Sequence, residues 1–157
     1  MQLFRFVLSL LVLVSFSTLA RGQAFISAGP GHTAGLSEAI WARGGYQFTE
    51  NWRAAGTFAF FLEAFENTSF FELSFDAHYI FPVSENFQAY PLAGINLLFQ
   101  TVDEGDGDTD FGVNAGLGSE FLINDQMSIP AEVRFVMGEA DRIWIGLGFQ
   151  YLFGARP

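Results

Sequence analysis

The sequence predicts an all-β fold: an eight-stranded antiparallel up-and-down transmembrane β-barrel, preceded by a cleavable signal peptide. Three observations predict it. Apolar and polar residues alternate with period 2 in segment after segment, and one face of each segment carries no charge. Connections switch between tight turns and longer polar loops. Aromatic residues gather beside the tight turns and near the C-terminus. Successive strand side chains point to opposite faces, so strands with lipid on one side and a filled interior on the other must show the first pattern.

At the N-terminus, Arg5 precedes an apolar run from Phe6 to Phe16, and the small residues Ser17, Thr18, Ala20 and Gly22 follow. This is the order of a secretory signal. The run is shorter than the ~20 residues a spanning helix needs. Cleavage after Ala20 or after Gly22 leaves a small residue at the cut. Gly22 is preferred, which divides the chain into a signal at 1–22 and one barrel domain at 23–157.

The outward faces follow strand by strand. The first strand, about 23–30, offers Ala24, Ile26 and Ala28, and the second Ile40, Ala42, Gly44, Tyr46 and Phe48. The third gives Trp52, Ala54, Gly56, Phe58, Phe60 and Leu62. In the fourth, Phe71, Leu73, Phe75, Ala77, Tyr79 and Phe81 alternate with Glu72, Ser74, Asp76 and His78. The fifth gives Phe87, Ala89, Pro91, Ala93, Ile95, Leu97 and Phe99. The sixth gives Phe111, Val113, Ala115, Leu117, Phe121 and Ile123, broken only by Ser119. The seventh gives Ile129, Ala131, Val133, Phe135 and Met137, and the last Ile143, Ile145, Leu147, Phe149, Tyr151 and Phe153. An outward Arg or Lys at the bilayer midplane costs roughly 2–4 kcal/mol, which explains the absence of charge here.

Tight turns are expected at 49–51, 82–86 and 124–126, with looser loops around 31–37, 64–69, 102–109 and 138–142. Short turns at one end and longer loops at the other are the transmembrane-barrel arrangement. Tyr46, Phe48, Trp52, Tyr79, Phe81, Phe87, Phe121, Tyr151 and Phe153 beside the short turns form a girdle at one membrane interface. Pro91 and Pro130 each remove a ladder donor, so frayed or bulged strand starts are expected there.

Charge narrows the function classes. Loss of Arg5 and Arg21 with the signal takes the formal net charge from −10 to −12, and the chain contains no lysine. Such a surface has no electrostatic footprint for nucleic acid. The chain has no cysteine, which excludes disulfides and thiolate metal sites. A soluble lipocalin-like binder would also alternate, with its apolar face inward. Its outer face would then need many charges, yet the polar face here is mostly Gly, Ala, Ser, Asn and Gln.

The signal, the alternating strands, the segment from Arg43 to Trp52 and the ending Gly148-x-x-Tyr151-x-Phe153 resemble the small outer-membrane β-barrels of Gram-negative bacteria, the OmpA/OmpX-like and opacity-type porin family. The resemblance spans residues 23–157. It implies residence in the outer membrane among lipid and lipopolysaccharide, a monomer, and an assembly signal at Gly148, Tyr151 and Phe153 read by the barrel-assembly machinery. Two departures stand out: family members end on the aromatic, whereas Gly154 to Pro157 follow here, and the polar position two before the glycine is Gly146.

Nearly all the charge outside loops and turns faces inward: Arg43, Arg53, Glu63, Glu72, Asp76, Glu120, Glu132 and Arg134, joined by His78. An eight-stranded barrel is only wide enough for side chains to fill it, so these are expected to form an ion-pair plug. Arg53 and Asp76 should lie near the same end of adjacent strands, and acids should outnumber arginines inside. Ser74, Asp76 and His78 share a face, but residues two apart on a strand are roughly 6.6 Å apart. Ser74 is therefore too far from His78 for a nucleophile–base pair, and no catalytic residue is assigned. Asp106, Asp108 and Asp110, within the acidic 103–110 segment, are candidates for a weak divalent-cation site, although the twelfth position counted from Asp103 or Asp106 is not an acid. No other cofactor is expected. The function predicted is a structural or surface-interaction role without catalysis; a narrow channel for ions or small polar solutes is the alternative, and a lipid-active enzyme stands behind both.

Overall fold

In a computed structural model, which describes residues 22–62, 68–102, 107–139 and 141–154, the described secondary structure is all strand. The segments are β1 (Gln23–Thr33), β2 (Glu38–Gln47), β3 (Trp52–Phe61), β4 (Thr68–Tyr79), β5 (Phe81–Ser84), β6 (Phe87–Val102), β7 (Asp108–Leu122), β8 (Met127–Met137), β9 (Arg142–Leu147) and β10 (Phe149–Leu152). β4 with β5, and β9 with β10, are single crossings interrupted at one residue, so these ten segments make eight crossings. Each crossing pairs antiparallel with the next, and β1 closes the sheet against β9 and β10. Closure is what hydrocarbon demands, because an open edge would leave backbone N–H and C=O groups unpaired in lipid.

The outward sets lie outside in every crossing, and none of those described is buried. Phe75 is 55% exposed while Glu72, on the same strand, is 1% exposed. The greasy face is the wall of the cylinder, and the charged face is its filling. Trp52 and Tyr79 meet edge to face at 5.0 Å on adjacent strands beside the short turns, and Tyr151 meets Phe153 at 5.3 Å.

Local chemistry sets the turns. Thr49 Oγ1 accepts the backbone N–H groups of Asn51 and Trp52, and Asn124 Oδ1 accepts those of Gln126 and Met127. Both side chains mimic a backbone carbonyl and fix a tight reversal. At the opposite end, Gly35 takes φ of 88° in the 34–37 turn, a region open to glycine at no steric cost.

The structure corrects the expected bounds of the connections and the expected effect of two prolines. β1 runs to Thr33, β4 begins at Thr68, β7 at Asp108 and β9 at Arg142, so the strands continue into segments expected to be loops at 31–37, 64–69, 102–109 and 138–142, and β5 carries strand to Ser84, into the turn expected at 82–86. Cross-strand pairing extends the ladders past the region of clear alternation: Gln100 pairs with Asp108, and Thr33 with Trp144. The prolines behave differently too. β6 and β8 run unbroken through Pro91 and Pro130, and the interruption appears on the neighbour. The register of β4 with β6 continues through the break at Ile80, which sets Tyr79 opposite Pro91. Gly148 donates to Pro130 O at 2.9 Å, but Pro130 has no N–H to return the bond, and the last crossing breaks at Gly148.

Candidate functional site

The interior is stacked in tiers of arginine and carboxylate. Nearest the short turns, Arg53 of β3 pairs with Glu120 of β7 across the lumen. Gln88 donates to the same carboxylate at 2.6 Å, and the Arg53 guanidinium lies 4.7 Å from the Phe25 ring. Above it, Arg43 donates to both oxygens of Glu132, at 2.7 and 2.8 Å, and to Thr57 Oγ1 at 2.8 Å. This two-pronged geometry is the strongest form of the pair. Tyr90 donates to Glu132 at 3.0 Å, and the His78 ring stacks on Tyr90 with centroids 4.8 Å apart.

In the next tier Arg134 donates to Ser74 Oγ at 3.0 Å and lies 3.4 Å from Asp76 Oδ2, with its guanidinium 4.0 Å from the Trp144 ring. Its Nε is 3.1 Å from Glu132 Oε1 but directed off that oxygen, so the contact is ionic and makes no hydrogen bond. Asn114 donates to Asp76 at 2.8 Å. Furthest from the short turns, Arg142 reaches Asn96, Glu72 at 3.5 Å and Asp110 at 3.1 Å. An apolar cluster of Ala39, Phe61, Phe70 and Leu98, with Leu36 packed against it, closes that end.

Two of these pairings were not anticipated. Arg53 meets Glu120 on the opposite wall, while the β3–β4 register sets Arg53 against His78 and Asp76 against Ala55. Asp76 serves Arg134 instead. Arg142 is the buried arginine missing from the expected set, having been assigned to a loop, and Gln88, Tyr90, Asn96 and Asn114 also join the network. Carrying the alternation of Ile143 and Ile145 back by one residue would have found Arg142. With Arg142 counted, four buried arginines (43, 53, 134 and 142) face four buried carboxylates (72, 76, 120 and 132). Arginines and carboxylates match one for one among the buried side chains, and Asp110, paired with Arg142 and less deeply buried, adds a fifth acid beside them. Glu63 lies outside the described residues. Balance matters because a buried charge without a partner is severely penalised.

Inward glycines make room for the bulk. A Cβ at Gly118 would fall inside the Tyr90 ring, one at Gly45 on Phe25, one at Gly148 on Trp41, and one at Gly146 on Trp144. Arg134, Glu120 and His78 are each 0% exposed. The lumen is a packed core of polar and aromatic side chains.

Its chemistry is that of a plug. Ser74 Oγ is bonded to Glu72, Asn96 and Arg134, and Asp76 to Asn114 and Arg134, so neither is arranged around His78. Both His78 nitrogens lack a hydrogen-bond partner among the described residues. Asp110 accepts Glu139 N–H at 3.1 Å besides pairing with Arg142, Asp108 is exposed at the start of β7, and Asp106 lies outside the described residues. Among the described residues no three His, Asp or Glu side chains converge as metal ligands. At the chain end Phe153 N–H donates to Ala24 O at 2.9 Å, and Gly148, Tyr151 and Phe153 lie along the seam where first and last strands meet.

A closed barrel with charge sealed inside and aromatics girdling one rim finds its counterpart in a family model described as outer membrane protein beta-barrel domain, which matches residues 8–153. This chain belongs to that family. Its place is the outer membrane, where barrels of this kind turn their short connections to the periplasm. Solved structures share the fold at low identity. The N-terminal barrel of Pseudomonas aeruginosa OprF is 19% identical with a TM-score of 0.70, over 83% of this chain and 97% of that one. Ail of Yersinia pestis, in complex with the heparin analogue sucrose octasulfate, is 20% identical with a TM-score of 0.63, over 84% and 99%. Neisserial surface protein A is 15% identical with a TM-score of 0.59, over 84% and 96%. No curated protein matches the sequence.

Proposed function

We propose that this outer-membrane barrel is a monomer with a structural or surface-interaction role, which neither catalyses a reaction nor conducts solutes. The observation carrying this reading is the balanced, close-packed lumen: four arginines and four carboxylates with aromatic bulk between them. A solute path would need a continuous wet lane, and His78, Asn96, Asn114, Glu120 and Arg134 are all 0% exposed. Ail, crystallised with sucrose octasulfate, supports an interaction role as one use of this fold. In this reading residues 1–22 are removed on export, and Gly148, Tyr151 and Phe153 present the last strand to the barrel-assembly machinery. The test is electrical. Refolded, purified barrel in planar bilayers gives no conductance steps; discrete, reproducible steps would replace the reading with that of a narrow pore.

A further inference from the structure

We propose that the extracellular mouth is a docking surface for a basic polypeptide segment, a proposal that rests on the surface-interaction reading above. A cavity of about 470 Å³ opens there between the 34–37 turn and the ends of β6, β7 and β9. Its floor is apolar, made by Leu36, Phe70 and Leu98, and its wall carries Asp108, Glu139 and Asp141. Beneath the wall, Arg142 is answered by Asp110 and Glu72. Among the described residues no ion pair joins Asp108, Glu139 or Asp141 to a cation.

The charge of the whole molecule points the same way. All four arginines of the described residues are buried, and the chain has no lysine. Among the described residues at this end, the exposed group that could carry positive charge is His32, which already contacts Glu38 at 3.0 Å. The mouth is thus complementary to positive charge and repels polyanions.

The apolar floor selects among cations. A bare metal ion would satisfy the acids and leave the half-buried Leu36, which packs on the buried Phe70 and Leu98, uncovered. A Lys or Arg side chain has a hydrocarbon stem and a charged head, so it covers the floor and meets the wall together. Screening limits exposed charge pairs to about 8 Å at physiological salt. The partner must therefore seat in the cavity; long-range attraction alone would not hold it.

The test uses the full mature barrel in lipid nanodiscs and fluorescence anisotropy. The probes are a short labelled peptide alternating Lys and Leu, an all-Lys peptide and a Glu–Leu counterpart. The Lys–Leu peptide binds. The combined variant Asp108→Asn, Glu139→Gln and Asp141→Asn weakens it by about ten-fold, each exposed pair contributing a factor of roughly two, and flattens the salt dependence. Leu36→Ser weakens the Lys–Leu peptide more than the all-Lys peptide. These side chains lie at the mouth, away from the plug, and unchanged heat-modifiable mobility on gels confirms folding. Equal affinity for the neutralised variant, equal binding of the Glu–Leu peptide, or displacement by calcium at equal concentration would overturn the proposal. Barrels that bind no peptide yet stay silent in planar bilayers would end it and leave the proposed function standing, whereas conductance steps would remove the function itself.

Discussion

Glu132 is the joint of the plug, and replacing it is the most direct measure of what the lumen contributes to stability. It accepts from Arg43 at 2.7 and 2.8 Å and from Tyr90 at 3.0 Å, and Arg134 lies 3.1 Å away. Three bonds to a carboxylate at roughly 1.5–3 kcal/mol each would give a large gross contribution. Desolvating the carboxylate opposes it by several kcal/mol, which brings the expected loss for Glu132→Gln to about 3–5 kcal/mol, most of it from stranding Arg43. Removing both partners should cost much less, because an apolar pair of similar volume needs no desolvation. The double variant Arg43→Met with Glu132→Leu is expected to recover at least about 2 kcal/mol relative to the sum of the single changes. The assay is reversible urea unfolding of the barrel in lipid vesicles, followed by tryptophan fluorescence. If Glu132→Gln unfolds within about 0.5 kcal/mol of the parent, or the two changes simply add, then these side chains do not act as a buried pair and the plug argument fails.

Three further outcomes follow from the same geometry. Gly118→Ala should lose about 1–3 kcal/mol by overpacking against Tyr90, and Tyr90→Leu in that background should restore part of the loss in the same unfolding assay. Phe75→Arg, on the lipid-facing wall, should destabilise by about 2–4 kcal/mol in vesicles, whereas Glu139→Arg at the mouth should be nearly neutral. Amino-terminal sequencing of the protein from outer-membrane fractions should begin at Gln23, and a start at Met1 would refute the signal assignment.

The fold was legible because a barrel in lipid obeys a period-2 rule along its length, and Phe71 to Phe81 states that rule without interruption. Which residues fill the lumen was readable for the same reason. Who pairs with whom was not. Arg53 and Glu120 are 67 residues apart and meet only because the cylinder closes, a distance set by strand tilt and stagger that no local pattern encodes. Asp76 illustrates the converse: it was expected near Arg53 at one end of adjacent strands, but Arg134 reaches it across the interior. Arg142 escaped notice because Gly138 to Asp141 reads as polar loop, and the strand begins immediately after it. The prolines misled in one respect only. A missing donor weakens the bond to the neighbouring strand, so the break appears at Ile80 and Gly148 while the prolines' own strands continue.

The interlocking of glycine with ring inside the cylinder has a bearing on how such a protein can drift. Tyr90 needs Gly118, Trp144 needs Gly146, Trp41 needs Gly148 and Phe25 needs Gly45. Neither member of such a couple can be exchanged alone: enlarging the small one produces a collision, and shrinking the large one opens a void. Divergence in the interior must therefore proceed by compensated double steps, while the membrane-facing wall accepts one greasy residue for another almost at will.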